Sequence, residues 1–316
     1  MTKNIIGDII YFGFAASHIF SCRRNLQGGN KYRKNDDMKK VVSIQDISCF
    51  GKCSLTVALP IISAMGIETA VIPTAVLSTH TGSGFENYTF RDLTGDIPSI
   101  AAHWKSMDLR FDGIYTGYLG SIEQVGIVSD FFDDFRSENN FIVVDPVLGD
   151  GGKLYAGFTT EFVAEMRKLC AKADYIIPNM TEVAFLLDIP YTEDYDEDYV
   201  HDVLRKLSEL GCRTPVLTGV CFGDGRQGAV AYDSATGEFY SSFGENVDQH
   251  FHGTGDIFSS VFTGAAALGK PLQKCLDIAV GYTLDCIKAT IPHFEETWYG
   301  SCFELCIENL IKYVKE

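Results

Sequence analysis

Apolar and polar positions form two kinds of pattern along the chain from residue 39 onward. Short apolar runs, with the length and composition of buried strands, are separated by longer segments whose apolar residues recur at helical spacing. Strands that alternate with helices favour a mostly parallel sheet covered on both faces. The pattern therefore predicts a single-domain α/β protein with three α/β/α layers. The predicted strands of the sheet are 41–45, 69–77, 111–116, 141–145, 174–178 and 214–218.

The second half of the chain adds a hairpin and the longest helices. Two short β-type runs, at 228–233 and 237–243, flank three small polar residues and predict an antiparallel hairpin. Neither an internal repeat nor a linker divides residues 39–316, which we predict to form one domain. Helices are predicted at 54–65, 254–268 and 271–291, followed by a last amphipathic helix with Phe303, Ile307, Leu310 and Val314 on one face.

Residues 1–38 do not follow this pattern. Their apolar stretch at 5–20 is interrupted by Asp8 and His18 and is too short to span a bilayer. Most basic residues of the segment come after this stretch, whereas a signal peptide carries them in front of it. We therefore expect a disordered extension or a start codon assigned too early, with Met38 directly before the first strand. A targeting segment is the alternative.

Composition and charge narrow the class of partner. The chain has 316 residues and a formal net charge of −16, which disfavours a nucleic-acid or anionic-membrane surface. Its ten cysteines are scattered through mostly apolar segments and indicate reduced thiols of a cytoplasmic protein rather than a disulfide framework. If the substrate carries phosphate, backbone amides and a divalent cation must hold it rather than a cluster of lysines.

Polar residues follow the predicted strands at the edge where parallel sheets bind their ligands. Asp46 is predicted to end the first strand, and Thr218 and Gly219 to follow the last parallel one. Each such residue alone is typical of a turn or a helix cap. Their convergence on one edge predicts a binding site instead. The polar residues after the intervening strands are His80 and Thr81, Tyr118, Asp145 and Asp150, and Asn179 and Glu182.

The stretch from His252 to Asp256 places two glycines directly before a long helical segment. A helix that begins there has main-chain amides without helical partners, and such a terminus binds anions. A carboxylate in its first turn makes sense if Asp256 removes a proton from a hydroxyl group while the amides hold a phosphoryl group. The simpler alternative is a capped helix with an aspartate in its first turn.

Three of these motifs together resemble the ribokinase-like superfamily and, within it, the pyridoxal/pyridoxamine kinases. The motifs are Asp-Pro-Val-Leu-Gly-Asp at 145–150, Pro-Asn-x-x-Glu at 178–182 and Gly-Thr-Gly-Asp at 253–256, in the family's order and at compatible spacing. The resemblance covers about residues 39–292. It implies a ribokinase-like fold and ATP-dependent phosphorylation of the hydroxymethyl group of pyridoxal, pyridoxamine or pyridoxine in vitamin B6 salvage. It also suggests a homodimer.

The resemblance assigns roles to residues of this chain. Asp256 is implied to be the general base that activates the substrate hydroxyl. A need for a monovalent cation is left open. The anion hole for the transferring phosphoryl group is implied to be Gly253, Thr254 and Gly255. The vitamin pocket is implied to contain His80, Thr81 and Tyr118. The ATP site is implied to contain Asp145, Asp150, Asn179, Thr218 and Gly219. Mg²⁺ is implied to lie near Asp145 and Glu182, whose hard oxygen ligands suit this ion.

Asp46 departs from the pyridoxal kinase pattern, in which many members have serine. We expect Asp46 at the floor of the substrate pocket, where a carboxylate favours a ring that offers a hydrogen-bond donor. The alternative is that it caps the helix near Ser54. The related hydroxymethylpyrimidine kinases carry an aspartate near this point, but they usually have cysteine where this chain has Asp256. The functions that stay open are a vitamin B6 kinase first, then a hydroxymethylpyrimidine kinase, then a non-catalytic vitamin- or nucleotide-binding protein.

Overall fold

The structure is a computed structural model that describes residues 38–82, 84–247, 249 and 251–316. Residues 1–37, on which the predicted extension falls, lie outside this range. Within the described residues the strands form a nine-stranded sheet and a separate two-stranded hairpin. The strands are β1 (Lys40–Ser48), β2 (Glu68–Leu77), β3 (Phe90–Asp92), β4 (Gly113–Thr116), β5 (Phe141–Val144), β6 (Gly149–Asp150), β7 (Lys153–Leu154), β8 (Tyr175–Ile176), β9 (Thr214–Val220), β10 (Arg226–Asp233) and β11 (Glu238–Glu245).

The centre of the large sheet is parallel and its edges are antiparallel. The strand order is β11-β10-β9-β8-β5-β4-β1-β2-β3. The strands from β9 to β2 in this order are parallel to their neighbours, whereas β3 and the hairpin β10–β11 pair antiparallel. All residues of the central strand β4 are buried, which explains why the parallel strands appear in the sequence as continuous apolar runs.

Helices cover both faces of this sheet. Adjacent residues of β1 point to opposite faces: Val42 belongs to the core cluster that includes α2 to α6, and Val41 to the one that includes α1 and α7 to α9. The predicted three-layer α/β/α architecture is therefore confirmed. The helices are α1 (Leu55–Ala64), α2 (Ile97–Ser106), α3 (Ile122–Phe135), α4 (Thr160–Cys170), α5 (Met180–Leu187), α6 (Glu197–Glu209), α7 (Thr254–Ala267), α8 (Leu272–Thr290) and α9 (Ile307–Lys315), with 3₁₀ turns at Ile291–His293 and Phe303–Cys306.

Two predicted strand ends lie inside strands instead. β1 continues to Ser48, and its pairing with β2 is irregular beside Asp46, so this residue lies at a bulge within the strand. β9 continues to Val220 through Thr218 and Gly219. The positive φ of 71° at Gly219 allows a bulge through which the antiparallel pairing with β10 resumes. In both cases a bulge carries the strand past the polar residue that the prediction took as its end.

Short elements at the sheet edge had no clear sequence signal. β3 and the hairpin β6–β7 have two or three residues per strand, too few for a period-2 pattern to stand out. The hairpin turn uses Gly151 and Gly152, both at positive φ. No helix within the described part of the chain combines the length and apolar character that crossing a membrane requires.

Candidate active site

The first turn of α7 presents main-chain amides at the carboxyl edge of the parallel sheet. The first helical bond of α7 runs from Ile257 N–H to the Gly253 carbonyl, at 3.0 Å, so the amides of Thr254, Gly255 and Asp256 precede it. Gly253 has a φ of 80°, which L side chains rarely adopt. The three predicted anion-hole residues thus form one continuous turn whose amides carry partial positive charge.

Gly253 is also required by close packing. A Cβ added there would lie 2.0 Å from the Lys52 carbonyl oxygen. The turn before α7 therefore packs directly against the turn before α1. This contact brings the end of β1 and the start of α7 together, although they are some two hundred residues apart in the sequence.

Asp256 lies in the first turn of α7 and is partly exposed. Burial, and after it the charge of Asp145, raises the pKa of its carboxyl group from 3.8 to about 7. The main-chain amide of Ser54 lowers this pKa, whereas the charge of Asp46 raises it. A carboxyl group with a pKa near neutrality is suited to accept a proton from an alcohol.

Asp145 follows β5 and is 8% exposed. Its Oδ2 accepts a hydrogen bond from Ser259 Oγ of α7 at 2.8 Å. Burial raises its pKa to about 6, while hydrogen bonds from Ser259 and from the Val147 amide act in the opposite direction. The structure therefore brings Asp145 and Asp256 together, as the sequence predicted. No basic side chain is among the main causes of the pKa shift of either carboxyl group.

Asn179 and Glu182 form a capping box at the start of α5. Glu182 N–H donates to Asn179 Oδ1 at 3.0 Å, and Asn179 N–H donates to Glu182 Oε2 at 2.8 Å. The other carboxylate oxygen, Oε1, accepts from Leu148 N–H at 2.8 Å, and Asn179 Nδ2 donates to the Gly149 carbonyl at 2.9 Å. The pair therefore ties the loop after β5 to α5. Burial, then the charge of Asp145, raises the pKa of Glu182 well above its usual range.

Asp150 lies at the rim of this cluster. It is exposed in β6, and its Oδ1 accepts from Gly151 N–H at 2.8 Å. Tyr155 also belongs to this rim, although the sequence analysis did not single it out. Burial raises the pKa of its phenol, and the charges of Glu182 and Asp150 raise it further. The only sequence signal for Tyr155 is an aromatic residue just after a double-glycine turn.

Thr218 and Gly219 lie beside α5 on the neighbouring strand. Thr218 N–H and Oγ1 both donate to the Pro178 carbonyl, at 2.9 and 3.3 Å. Gly219 is exposed at the bulge of β9. Main-chain bonds thus place both residues next to the Asn179 turn, on the same edge as the carboxylates.

Asp46 is buried, and its Oδ2 accepts a hydrogen bond from Ser48 Oγ at 3.0 Å. Burial raises its pKa. The Ser54 and Ser48 hydroxyls lower this pKa, and the bridge between Ile47 and Ser54, the N-cap residue of α1, places Asp46 near the start of that helix. The charge of Asp46 is the second cause, after burial, that raises the pKa of Tyr118. Asp46 therefore also lies near this residue of the predicted pocket.

Tyr118 and His80 each pack against other aromatic rings, Tyr118 against Phe158 and His80 against Phe85. Tyr118 stacks on Phe158 with ring centroids 5.8 Å apart. His80 Nδ1 accepts from Gly82 N–H at 3.0 Å, so Nε2 carries the proton that it donates to the Tyr299 carbonyl at 2.8 Å. Thr81 is exposed beside them.

The sequence analysis missed the C-terminal contribution to the aromatic group around His80, which we call the aromatic wall. Trp298 packs on Phe85 with centroids 4.8 Å apart, and Tyr299 on Phe50 at 4.6 Å. Ser301 N–H donates to the His252 carbonyl at 3.2 Å. No local pattern marks this segment as part of the site, because its contacts with Phe50, Phe85 and His252 join it to distant parts of the chain.

The carboxylate oxygens of the cluster are ligands that suit a hard divalent cation, but of the two predicted magnesium ligands only Asp145 keeps an oxygen available for one. Among the residues that the structure describes, no group of three or more His, Cys, Asp or Glu side chains converges on one point. Mg²⁺ usually takes only one or two protein carboxylates, with water and phosphate oxygens as its other ligands. Asp145 retains one oxygen without a side-chain donor, whereas both oxygens of Glu182 already accept main-chain amides.

Comparison with known proteins gives a consistent family. The model of the phosphomethylpyrimidine kinase family matches residues 60–297. The pyridoxal kinase of Dictyostelium discoideum is 30% identical, over 71% of this chain and 77% of its own. A crystal structure of a Bacteroides thetaiotaomicron protein, provisionally named phosphomethylpyrimidine kinase and crystallised with pyridoxal, is 42% identical with a TM-score of 0.82, over 87% of this chain and 96% of its own. The Lactobacillus plantarum pyridoxal kinase is 32% identical with a TM-score of 0.80, over 87% and 98%.

Proposed function

This chain belongs to the phosphomethylpyrimidine kinase family, and on that premise we propose that it is a pyridoxal kinase. It transfers the γ-phosphoryl group of ATP to the 5'-hydroxymethyl group of pyridoxal, pyridoxamine or pyridoxine. The observation that carries this proposal is Asp256: a carboxyl group with a pKa of about 7 beside the main-chain amides of the α7 turn. A proton acceptor and an anion-binding turn at one place are what hydroxyl phosphorylation requires.

In this reaction Asp256 accepts the proton of the substrate hydroxyl. The hydroxyl oxygen attacks the γ-phosphorus of ATP, and ADP leaves. The amides of Gly253, Thr254 and Gly255 stabilise the charge on the transferring phosphoryl group. Because the base must be ionised, kcat/KM is expected to rise with pH through about 7 and to level off above it.

Nucleotide binding is proposed for the rim formed by Asp150, Asn179, Thr218 and Gly219. Asp145 would hold Mg²⁺, with Glu182 adding negative charge behind it, and the ion would offset phosphate charge when bound. The capping box supports this role indirectly, because it fixes the loop between Asp145 and Asp150 against α5.

The vitamin ring is proposed to bind between Asp46 and the aromatic wall. Tyr118 supplies a stacked face, while His80 and Thr81 border the opening. Both ring nitrogens of His80 already have main-chain partners, so its role is to shape the pocket through its ring. Asp46 accepts a hydrogen bond or a positive charge from the ring.

We also propose a cytoplasmic homodimer that works on small molecules alone. The cysteines of the described residues are free thiols, which fits a reducing compartment. The net charge of −16 argues against nucleic-acid partners.

Phosphorylation of hydroxymethylpyrimidine is the second candidate, and the name of the matching family favours it. The bound pyridoxal in the Bacteroides structure, a protein that carries the same provisional name, favours the vitamin instead. A non-catalytic role is third.

One assay separates the three functions. Purified protein is incubated with Mg-ATP and, in turn, pyridoxal, pyridoxamine, pyridoxine or hydroxymethylpyrimidine, and both ADP and the phosphate monoester are measured. The Asp256→Asn protein is the control for contaminating kinases. We expect turnover of the B6 vitamers. Turnover of hydroxymethylpyrimidine alone would support the second candidate, and the absence of ADP and phosphate monoester with every substrate would support the third.

A further inference from the structure

The buried side chain of Gln124 ties together three separate segments of the chain. Its Oε1 accepts a hydrogen bond from the Gly120 main-chain amide at 2.7 Å. Its Nε2 donates to the Thr74 carbonyl of β2 at 3.0 Å and to Thr94 Oγ1 at 2.9 Å. Gln124 is 1% exposed, so both polar atoms of its side chain have exchanged water for these protein partners.

The bond to Gly120 differs from the usual role of a glutamine at this position of a helix. Gln124 is the third residue of α3, and the hydroxyl of the N-cap residue Ser121 accepts the Gln124 amide at 3.2 Å. In a capping box the glutamine side chain would return this bond to the amide of the N-cap residue. Here it accepts the amide one residue earlier, that of Gly120. The side chain therefore fixes the loop before α3.

This loop carries Tyr118, which the proposed function places against the vitamin ring. A Cβ added to Gly120 would lie 3.6 Å from both Cε1 and the hydroxyl oxygen of Tyr118, and 3.7 Å from Gln124 Oε1. The main chain at Gly120 thus lies against the edge of the tyrosine ring. The same ring stacks on Phe158. A second bond holds this loop, because Thr74 Oγ1 donates to the Tyr118 carbonyl at 3.3 Å.

We propose that Gln124 is a positioning residue that sets the affinity of the pocket for the vitamin ring. It holds the Gly120 main chain against the ring of Tyr118, and it anchors Thr74, which holds the Tyr118 carbonyl. An aromatic surface that is already in place need not be ordered when the ligand binds. Because Gln124 is buried, it acts through Tyr118 and does not touch the ring itself. The inference rests on the proposed function for the role of Tyr118, whereas the hydrogen bonds do not depend on a substrate.

The first test uses Gln124→Met, which keeps the length of the side chain and loses its amide. KM for pyridoxal, and Kd for pyridoxine measured by calorimetry without ATP, are expected to rise about fivefold, the scale of one aromatic contact. KM for ATP and kcat should stay nearly unchanged, because the bonds of Gln124 do not reach α7 or the Asn179 turn.

Thr74→Val is a milder variant of the same test. Valine has the shape of threonine without its hydroxyl, so this change removes the bond to the Tyr118 carbonyl and no other contact of Tyr118. The same two constants should rise by a smaller factor. The variant also decides the case in which Gln124→Met folds poorly. Unchanged constants in the folded variants would overturn the proposal.

Asn140→Ala is a matched control at the opposite edge of the sheet, directly before β5. Asn140 is also a side-chain amide that ties a loop to α3: its Nδ2 donates to the Phe135 carbonyl at 2.8 Å, and its Oδ1 accepts from Ser137 N–H at 2.9 Å. Its loss should lower the melting temperature without changing KM for pyridoxal or Kd for pyridoxine. An equal rise of Kd in this control would show that lost stability alone explains the effect, and the proposal would fail.

A double-mutant cycle with Tyr118→Ala decides whether Gln124 acts through this tyrosine. If it does, Gln124→Met raises Kd for pyridoxine about fivefold in the unaltered chain and has little effect once the tyrosine ring is absent. The same increase in both backgrounds would contradict the proposal.

The position of Tyr118 can also be measured without a substrate. Nuclear Overhauser effects between the rings of Tyr118 and Phe158 are expected in the unaltered chain and should weaken in Gln124→Met. Those between Phe158 and Phe162, which stack with centroids 4.1 Å apart, should stay. A Tyr118–Phe158 signal that is unchanged in Gln124→Met refutes the positioning role, whether or not the protein phosphorylates pyridoxal. If the signal weakens and the unaltered protein binds no vitamer, the proposed function fails and the positioning of Tyr118 stands.

Discussion

Replacing Asp256 with asparagine should stabilise the protein at alkaline pH while it removes activity. Folding raises the pKa of this carboxyl group from 3.8 to about 7, so the folded protein binds the proton more tightly than the unfolded chain. The free energy of unfolding therefore falls as pH rises from about 4 to about 7, and the cost is complete above that range. Asparagine has the same shape and no charge, so it avoids this cost.

The size of the effect follows from the shift. At about 1.4 kcal/mol per pH unit, a rise from 3.8 to about 7 corresponds to at most about 4 kcal/mol at pH 8. Asp256 keeps some exposure to solvent, which screens the charge, and we therefore expect roughly half of this value, about 2 kcal/mol. At pH 5 the carboxyl is mostly protonated in the folded protein, and the gain should be below about 1 kcal/mol.

Urea unfolding at pH 5 and pH 8 measures this difference, with tryptophan fluorescence as the signal. The control is Asp277→Asn, which changes an exposed aspartate of α8 and should act alike at both pH values. In the same protein preparations kcat of Asp256→Asn should fall by about a hundredfold or more. If Asp256→Asn gives the same change in unfolding free energy at both pH values, the burial of this carboxyl has been misjudged. If kcat stays near that of the unaltered protein, Asp256 is not the base.

Further predictions concern the start of the chain, the substrate pocket and the capping box. A chain that begins at Met38 should keep its melting temperature and activity in thermal scans and ADP assays, and a clear loss of either would show that residues 1–37 support the fold. Asp46→Ser should lower the ratio of kcat/KM for pyridoxamine over pyridoxal by about tenfold, and an unchanged ratio would remove Asp46 from substrate choice. Asn179→Ala should reduce the unfolding free energy in urea by about 1–2 kcal/mol, because one capping box is lost; no reduction would contradict the capping geometry.

The centre of the sheet could be predicted because its physical signal is local. Strand β5 is almost entirely buried, so it appears as an uninterrupted apolar run, Phe-Ile-Val-Val at 141–144. The rule that parallel strands present their carboxyl ends to a ligand then placed Asp145 and Asn179 at one edge. The prediction failed where a bulge carries a strand beyond its first polar residue, as at Asp46 and Gly219.

The rest of the site depends on contacts between distant segments. Ser54 has a positive φ in the turn before α1, which the sequence does not indicate because serine rarely adopts this conformation. Trp298 and Tyr299 join the aromatic wall from a segment close to the C-terminus. Such partners are fixed by tertiary packing, for which one sequence without homologues carries no pattern.

The cost of the carboxylate cluster is itself an argument for catalysis. Burial raises the pKa of Asp46, Asp145, Glu182 and Asp256, so each ionised group destabilises the fold at neutral pH. For Glu182, hydrogen bonds from the main-chain amides of Leu148 and Asn179 offset part of this cost. For Asp256, a neutral asparagine would have the same shape without the cost of burying a charge. A fold that only bound a vitamin or a nucleotide would gain stability by losing this carboxylate. We propose that the carboxylate is present because a proton must be accepted at this position, which is the chemistry of a kinase.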